Sequence, residues 1–342
     1  MKTSQLIALT LLVGIAIGAA IFFILGLPKV VGVLSGANIQ FVALAAAAQL
    51  VSVLAIFGRW SASVDFARIR VSSARLLLAS LAGIAFANIT PSSRMGGEPV
   101  RAYFLRRNAR THTGDALATV IVERVFDGVT FAFISLIVLV LAFIFWHLQW
   151  WVVLLMFVSF ILSSAFLGFA IYLSYNRKAA LGMMFWLLDR FRRFVGKEQA
   201  IRRVQKSIMR NVANYNRNAK RMLASRALWA KGVALSLLNW FFEVLRAYLI
   251  LLALGAQNPS FLVVAAAIVI AALGGSLPLL PGGLGVMEGT MIIILSSAGI
   301  TPALAGAATI LDRLISYWGL TFVGLGSAYY LGFKSGNVPA NK

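Results

Sequence analysis

Long apolar runs follow one another along almost the whole chain of 342 residues, separated by short polar or basic segments. Several runs reach the length of about 20 residues that an α-helix needs to cross ~30 Å of hydrocarbon. A backbone inside lipid must satisfy its own hydrogen bonds, and these runs are too long for barrel strands. The pattern therefore predicts an all-α polytopic membrane protein, with a single transmembrane domain over residues 1–342.

Six of the apolar runs are predicted to cross the bilayer. They lie near residues 6–27, 39–57, 115–145, 152–173, 233–254 and 303–331. Two other runs are broken by Pro and Gly before they reach the length of a full span. We predict that these two form re-entrant helical hairpins, over residues 76–104 and 261–298. Eight full spans of uneven length are the alternative.

Loop charges predict the orientation of these segments, because Lys and Arg concentrate in cytoplasmic loops. Arg59, Arg68, Arg70 and Arg75 read as one basic loop, and residues 175–231 as a basic cytoplasmic or interfacial linker. Both termini are then cytoplasmic, in the cell membrane. A first hairpin that crossed completely would place a group of basic side chains outside, namely Arg101, Arg106, Arg107 and Arg110.

The same charge rule makes the second hairpin open to the outer side, since the links flanking it carry no Lys or Arg. Hairpins of opposite orientation are expected of an inverted repeat. The predicted pseudo-repeats cover residues 39–145 and 233–331. Their spacing agrees, with 26 positions from Glu98 to Arg124 and 25 from Glu288 to Arg313.

Overall composition excludes several other classes of protein. The formal charge is +21, but most of the excess lies in inter-helix loops, so we expect no nucleic-acid partner. The basic linker is instead expected to contact anionic lipid headgroups. With no cysteine and two histidines, the chain is predicted to bind no metal or cofactor. It is compatible with a homo-oligomer.

Six of the ten acidic residues fall in apolar segments or their breaks. They are Glu98, Glu123, Asp127, Glu243, Glu288 and Asp312, accompanied by Arg124, Arg246 and Arg313. A charge at the bilayer centre costs about 2.5–3.5 kcal/mol even on mild insertion scales, so lipid-facing placement is disfavoured. We expect these groups to face one another across an internal, wettable cavity. Asn239, Glu243 and Arg246 share one helix face, since they recur at steps of four and three.

Each of these charges also has a structural interpretation. Glu123, Arg124 and Asp127 could form an ion-pair cluster that holds helices together. Glu98 and Glu288 could cap the helices that restart after each break. Such restarted helices also point free N–H groups toward mid-membrane, where they suit a phosphate or carboxylate.

Three motifs carry a resemblance to a known family. They are N-x-T-P-x(4)-G-G-E-P-x-R-A-Y over residues 88–103, E-R-x-x-D over residues 123–127, and P-G-G-x-G-x-x-E over residues 281–288. Together they resemble the flippase-like family that includes the transmembrane domain of lysylphosphatidylglycerol synthase/flippase. The resemblance implies a polytopic helical bundle that moves a phospholipid or lipid-linked headgroup between leaflets. The soluble aminoacyl-transferase domain of two-domain synthases is not expected here.

We therefore expect a lipid flippase rather than an enzyme, with membrane phospholipids or a lipid-linked molecule as substrate. The candidate substrate-binding and translocation residues are Asn88, Thr90, Pro91, Arg94, Gly97, Glu98, Arg101, Glu123, Arg124, Asp127, Asn239, Glu243, Arg246, Pro281, Gly282, Gly283, Glu288, Asp312 and Arg313. The alternative function is an intramembrane isoprenyl-pyrophosphate phosphatase, in which Ser92 or Ser93 would act beside Arg94 and Glu98. A hydroxyl nucleophile needs a base, and no histidine lies near these serines in the sequence.

Overall fold

A computed structural model describes residues 27–90, 96–145, 150–190, 198–275 and 283–334. Within these ranges the chain is α-helical without strands, as the apolar runs predict. The predicted first span, residues 6–27, lies outside the described residues except for its last position.

The helices follow one another with short connections. They are α1 (Leu27–Ser35), α2 (Ile39–Phe66), α3 (Ser73–Ile89), α4 (Gly97–Ala109), α5 (Thr113–Phe145), α6 (Trp150–Tyr175), α7 (Arg177–Arg190), α8 (Glu198–Leu223), α9 (Arg226–Ala253), α10 (Phe261–Gly275), α11 (Val286–Ser297), α12 (Pro302–Arg313) and α13 (Leu320–Lys334). Side-chain oxygens begin several of them, since Asn38, Ser72 and Ser225 accept from N–H groups of the first turns of α2, α3 and α9.

Three helices, α2, α5 and α9, are long and apolar enough to cross a membrane by length and composition. Their outward faces carry exposed large apolar side chains, such as Leu50, Phe133 and Phe241. In water such surfaces would favour aggregation, whereas lipid tails solvate them at no cost. The distribution of exposed residues therefore fits a protein surrounded by hydrocarbon.

Arg59 lies inside α2 and is only 1% exposed, so its assignment to a basic surface loop was wrong. The helix continues through the predicted end at Arg59 as far as Phe66. The connecting segment that follows is short and contains Arg68 and Arg70, both exposed. Because α2 extends past the apolar run, Arg59 belongs to the helix and lies in the interior.

The two predicted hairpins each consist of a pair of packed helices, α3 with α4 and α10 with α11. In the first pair the backbones touch, because a Cβ on Gly97 would lie 2.2 Å from the carbonyl oxygen of Gly83. In the second pair a Cβ on Gly275 would lie 2.6 Å from the Met287 side chain. Gly283 also has a positive φ of 70°, which favours glycine. Small residues thus permit the close approach at both sites.

The last predicted span is one helical rod with an irregular centre. α12 passes directly into a π-helical turn, Leu314–Gly319, and then into α13. The turn is anchored to the end of α3, because the Tyr317 hydroxyl donates to the Asn88 carbonyl oxygen at 3.0 Å and the Asn88 amide donates to Thr321 at 2.9 Å. π-Helical turns of this kind are frequent at functional sites.

The basic linker forms α7 and α8, and α8 packs along α5 and α6. Asn218 donates to the Asp115 carboxylate at 2.7 Å, and the Asn216 amide bonds the carbonyl oxygens of Leu173 and Ser174 at 2.7 and 2.8 Å. The linker is therefore docked on the helical bundle. Its predicted contact with lipid headgroups stays a prediction.

Candidate functional site

A first group of charged side chains joins α2, α4 and α5 in the interior. The Glu123 carboxylate is fully buried and accepts from Arg59 Nε at 2.6 Å and from Arg101 Nη1 at 2.8 Å. Arg59 also donates to the Asp127 carboxylate at 2.7 Å. Buried charges persist only when paired, so this arrangement holds three helices at fixed relative positions.

Arg124 forms its ion pairs away from Glu123. Its Nε lies 2.5 Å from the Glu98 carboxylate of α4, and its Nη1 lies 3.7 Å from the Asp127 carboxylate. The Arg124 side chain is 36% exposed, whereas that of Glu98 is 6% exposed. One face of α5 therefore carries a guanidinium that is held by a carboxylate and still accessible.

A second group joins α2, α9, α11 and α12. Arg246 Nε donates to the Asp312 carboxylate at 2.8 Å, and Arg246 Nη1 contacts Glu243 at 2.7 Å and the Gln49 amide oxygen. Arg313 Nε lies 2.7 Å from the Glu288 carboxylate. Glu288 also accepts from the Gly285 N–H at 2.5 Å, so it caps α11 as the structural interpretation expects.

The two groups are built in the same way. Each contains an acid–arginine pair on consecutive residues of one helix, Glu123-Arg124 on α5 and Asp312-Arg313 at the end of α12. The acid of each pair binds an arginine that lies 64 or 66 positions earlier in the chain. The arginine of each pair binds a glutamate in the first turn of α4 or α11, which lies 26 or 25 positions earlier.

Helices α2 and α9 connect the two groups through reciprocal hydrogen bonds. Arg59 Nη1 donates to the Ser236 hydroxyl at 2.8 Å, and Ser236 lies ten positions before Arg246. Arg246 in turn donates to Gln49, which lies ten positions before Arg59. Between these two contacts, the Ser52 hydroxyl donates to Asn239 at 2.8 Å. Each half of the chain thus completes the hydrogen bonding of the other.

A cavity of about 160 Å³ lies where the two groups meet. A single water needs roughly 10–15 Å³ of such space, so the cavity holds several. The charged side chains that line it come from both groups: Arg59, Arg124, Asp127, Glu243, Arg246, Asp312 and Arg313. The amides of Gln49, Asn88 and Asn239 line it as well. The helices therefore surround a partly open chamber, in which these polar groups lie beside apolar side chains such as Ile56, Trp240 and Met287.

Some buried polar atoms of the two charged groups lack a hydrogen-bond partner within the described residues. They are Arg313 Nη2 and Nε, Glu98 Oε2, Glu288 Oε1, and Arg101 Nε and Nη2. The Arg313 Nε–Glu288 Oε1 distance makes an ion pair, but the two atoms are not aligned for a hydrogen bond. The Arg101 guanidinium lies 4.3 Å from the centre of the Trp60 ring, which offers a cation–π contact.

Most of the predicted site residues that the structure describes belong to these two groups or line the chamber. Asn88 lines the chamber and also accepts a hydrogen bond from Tyr317 of the π-helical turn. Thr90 is the C-cap residue of α3, and Gly97 and Gly283 allow close helix contacts. Pro91, Arg94, Pro281 and Gly282 lie outside the described residues.

The prediction missed Arg59, Gln49, Ser52 and Ser236. A signal for the first three exists, because Gln49, Ser52, Arg59 and Ser63 follow one stripe along α2 at helical spacing.

These features define the class of the protein: a multi-pass α-helical membrane protein whose helices enclose a charged, polar interior. The chain belongs to the family of the lysylphosphatidylglycerol synthase transmembrane region, whose model matches residues 11–324. The family resemblance of the three motifs is thereby confirmed.

Curated relatives are UPF0104 membrane proteins of archaea. One from Methanothermobacter thermautotrophicus is 32% identical over 326 residues, covering 95% of both chains. One from Methanocaldococcus jannaschii is 30% identical and covers 87% of both chains. One from Pyrococcus horikoshii is 25% identical and covers 92% of this chain and 94% of the relative.

Proposed function

We propose that this protein is a lipid flippase that moves a phosphate-bearing phospholipid or lipid-linked headgroup between leaflets. One observation carries the proposal: arginines and carboxylates from both halves of the chain line the same chamber among apolar helices. A charged headgroup cannot cross hydrocarbon cheaply, and such a chamber offers it polar contacts while acyl or isoprenoid tails stay in lipid.

The proposed topology has six spans and two re-entrant hairpins, α3–α4 and α10–α11, that open to opposite sides. The matching ion pairs and the reciprocal α2–α9 hydrogen bonds support an inverted repeat over residues 39–145 and 233–331. In this topology the chain lies in the cell membrane with both termini cytoplasmic. The basic helices α7 and α8 then face anionic headgroups of the inner leaflet.

Transport in this scheme requires no covalent chemistry. A phosphate oxyanion competes with a carboxylate for an arginine, because both accept bidentate hydrogen bonds from a guanidinium. Exchange of one acceptor for the other gives the chamber two states with similar numbers of contacts. A ligand that binds one state better shifts the population toward it.

The alternative phosphatase activity has no support among the described residues. Its proposed nucleophiles, Ser92 and Ser93, and its arginine, Arg94, lie outside them. Phosphate release from an isoprenyl pyrophosphate by the purified protein, lost in Ser93→Ala, would favour that activity over transport.

Leaflet exchange in vesicles tests the proposed function. Purified protein is reconstituted into vesicles that contain a phospholipid with a fluorescent headgroup, and a membrane-impermeant reductant is added outside. Bleaching of more than the outer-leaflet half of the fluorescence is the expected result. The control is Arg75→Gln, which changes an exposed arginine at the start of α3 and should behave as wild type. Bleaching equal to that of protein-free vesicles would contradict the proposal.

A further inference from the structure

We propose that Arg124 and Arg313 are the residues that bind the substrate phosphate, one in each half of the chain, and that each exchanges its glutamate for the phosphate. Arg59 and Arg246 are then positioning residues. This inference rests on the proposed function and assigns separate roles to arginines that line one chamber.

The three guanidinium nitrogens of Arg59, and Nε and Nη1 of Arg246, are already bound to protein groups. Arg59 uses Nε and Nη2 on Glu123, and Nη1 on Asp127 and Ser236, at 2.6–2.8 Å. Arg246 uses Nε on Asp312 and Nη1 on Glu243 and Gln49. Both side chains are nearly inaccessible, at 1% and 2% exposure. Binding phosphate here would require breaking several buried charged contacts at once.

Arg124 and Arg313 retain donor capacity. Arg313 Nη2 is buried without a hydrogen-bond partner in the described part of the chain, and its Nε contact with Glu288 is not aligned for a hydrogen bond. The Arg124 side chain is 36% exposed and its second ion pair is long, at 3.7 Å. Both arginines line the chamber. A phosphate oxygen would supply the acceptor that Arg313 Nη2 lacks and could contact the exposed part of the Arg124 guanidinium.

The glutamates are placed so that they can release their arginines without being left isolated. Glu98 and Glu288 lie in the first turns of α4 and α11, where the helix dipole and free N–H groups stabilise a carboxylate. Glu288 already accepts from the Gly285 N–H at 2.5 Å. When phosphate takes the arginine, Glu288 keeps this hydrogen bond, whereas Glu98 keeps only the favourable field of the α4 N-terminus, because its side chain makes no capping hydrogen bond within the described residues. The exchange gives each arginine a different anion to contact, and the helix N-terminus offsets part of the negative charge that the phosphate adds.

Binding to detergent-solubilised protein tests the inference independently of transport. The ligands are a short-chain phosphatidylglycerol, a short-chain diacylglycerol without phosphate, and inorganic phosphate, each titrated by calorimetry. Arg124→Gln and Arg313→Gln should each weaken phosphatidylglycerol binding about tenfold or more, as expected for loss of a hydrogen bond to a charged group. Arg124→Lys and Arg313→Lys should bind with intermediate affinity, because Lys keeps the charge without the bidentate geometry.

Neutralising the competing carboxylate should change the affinity for phosphatidylglycerol in the opposite direction. Glu98→Gln and Glu288→Gln should tighten phosphatidylglycerol binding several-fold, a result that a purely structural role would not produce. Arg75→Gln is the matched control and should bind as wild type. Thermal unfolding of every variant identifies any that fails to fold. If Arg124→Gln or Arg313→Gln fails, the Lys variant at that position decides, and if one Glu→Gln variant fails, the other decides.

The outcomes separate this inference from the proposed function. Unchanged affinity in both Arg→Gln variants, or weaker binding in both Glu→Gln variants, would overturn the inference even if the wild type exchanges lipid between leaflets. Binding of inorganic phosphate as tight as that of phosphatidylglycerol would overturn the assignment to a lipid headgroup. If the affinities change as predicted but no lipid exchanges between leaflets, the phosphate site is supported and the proposed flippase function is contradicted.

Discussion

Replacing Arg59 with methionine should destabilise the protein strongly, because it leaves buried carboxylates short of one positive charge. Arg59 is 1% exposed and contacts Glu123 and Asp127 at 2.6 and 2.7 Å. Breaking a buried pair by removing one partner costs about 3–5 kcal/mol. Glu123 keeps Arg101 at 2.8 Å, so we expect a loss of about 3 kcal/mol in the free energy of unfolding, at the lower end of that range.

A second substitution tests the reasoning more sharply than the first alone. In Arg59→Met/Asp127→Asn the local charges balance again, because Glu123 retains Arg101 and Glu98 retains Arg124. The double variant should therefore recover about 1 kcal/mol or more relative to Arg59→Met, since no uncompensated buried charge remains.

The assay is equilibrium unfolding in mixed micelles with increasing denaturing detergent, followed by helical circular dichroism. Arg75→Met serves as the exposed control and should change stability by no more than about 0.5 kcal/mol. A loss below about 1 kcal/mol in Arg59→Met would refute the buried-charge argument, since surface ion pairs have that magnitude. A further fall in the free energy of unfolding when Asp127→Asn is added to Arg59→Met would also refute the argument.

Two further predictions concern topology and packing. Because the chain has no cysteine, Thr111→Cys after α4 and Ala298→Cys after α11 can be labelled one at a time in cells. An impermeant thiol reagent should label only Ala298→Cys from outside, and equal labelling would contradict oppositely opening hairpins. Gly97→Ala should lower thermal stability by about 1–3 kcal/mol, because its Cβ would lie 2.2 Å from the Gly83 carbonyl oxygen. Gly168→Ala, with nothing within 4 Å, is the control, and an equal effect in both would argue against tight contact of α3 with α4.

The apolar pattern predicted the helical class and most helix positions, because span length and hydrophobicity are local properties of the chain. It also identified the acidic residues of the interior, since charges in apolar runs need partners. The partners themselves were harder to predict. Arg59 was grouped with Arg68 and Arg70 by closeness in sequence, whereas it lies within α2, seven positions before the helix ends.

Pairing across helices depends on geometry that sequence order hides. Glu123 and Arg124 are neighbours in sequence, but consecutive positions on a helix point in different directions and do not face each other. Glu123 therefore binds Arg59 and Arg101, while Arg124 binds Glu98. The matched spacings from Glu98 and Glu288 to the later arginines were visible beforehand, and both spacings correspond to ion pairs.

If both halves of the chain act on a headgroup in one shared chamber, substitutions in the two halves must have coupled effects on leaflet exchange, and a double-variant measurement shows whether they do. Rates are measured for wild type, Arg124→Gln, Arg313→Gln and the combined variant in vesicles of the same composition. Residues that act as a unit are strongly non-additive. The combined variant should therefore exchange lipid no more slowly than the slower single variant. Multiplication of the two single effects, as for independent sites, would contradict it.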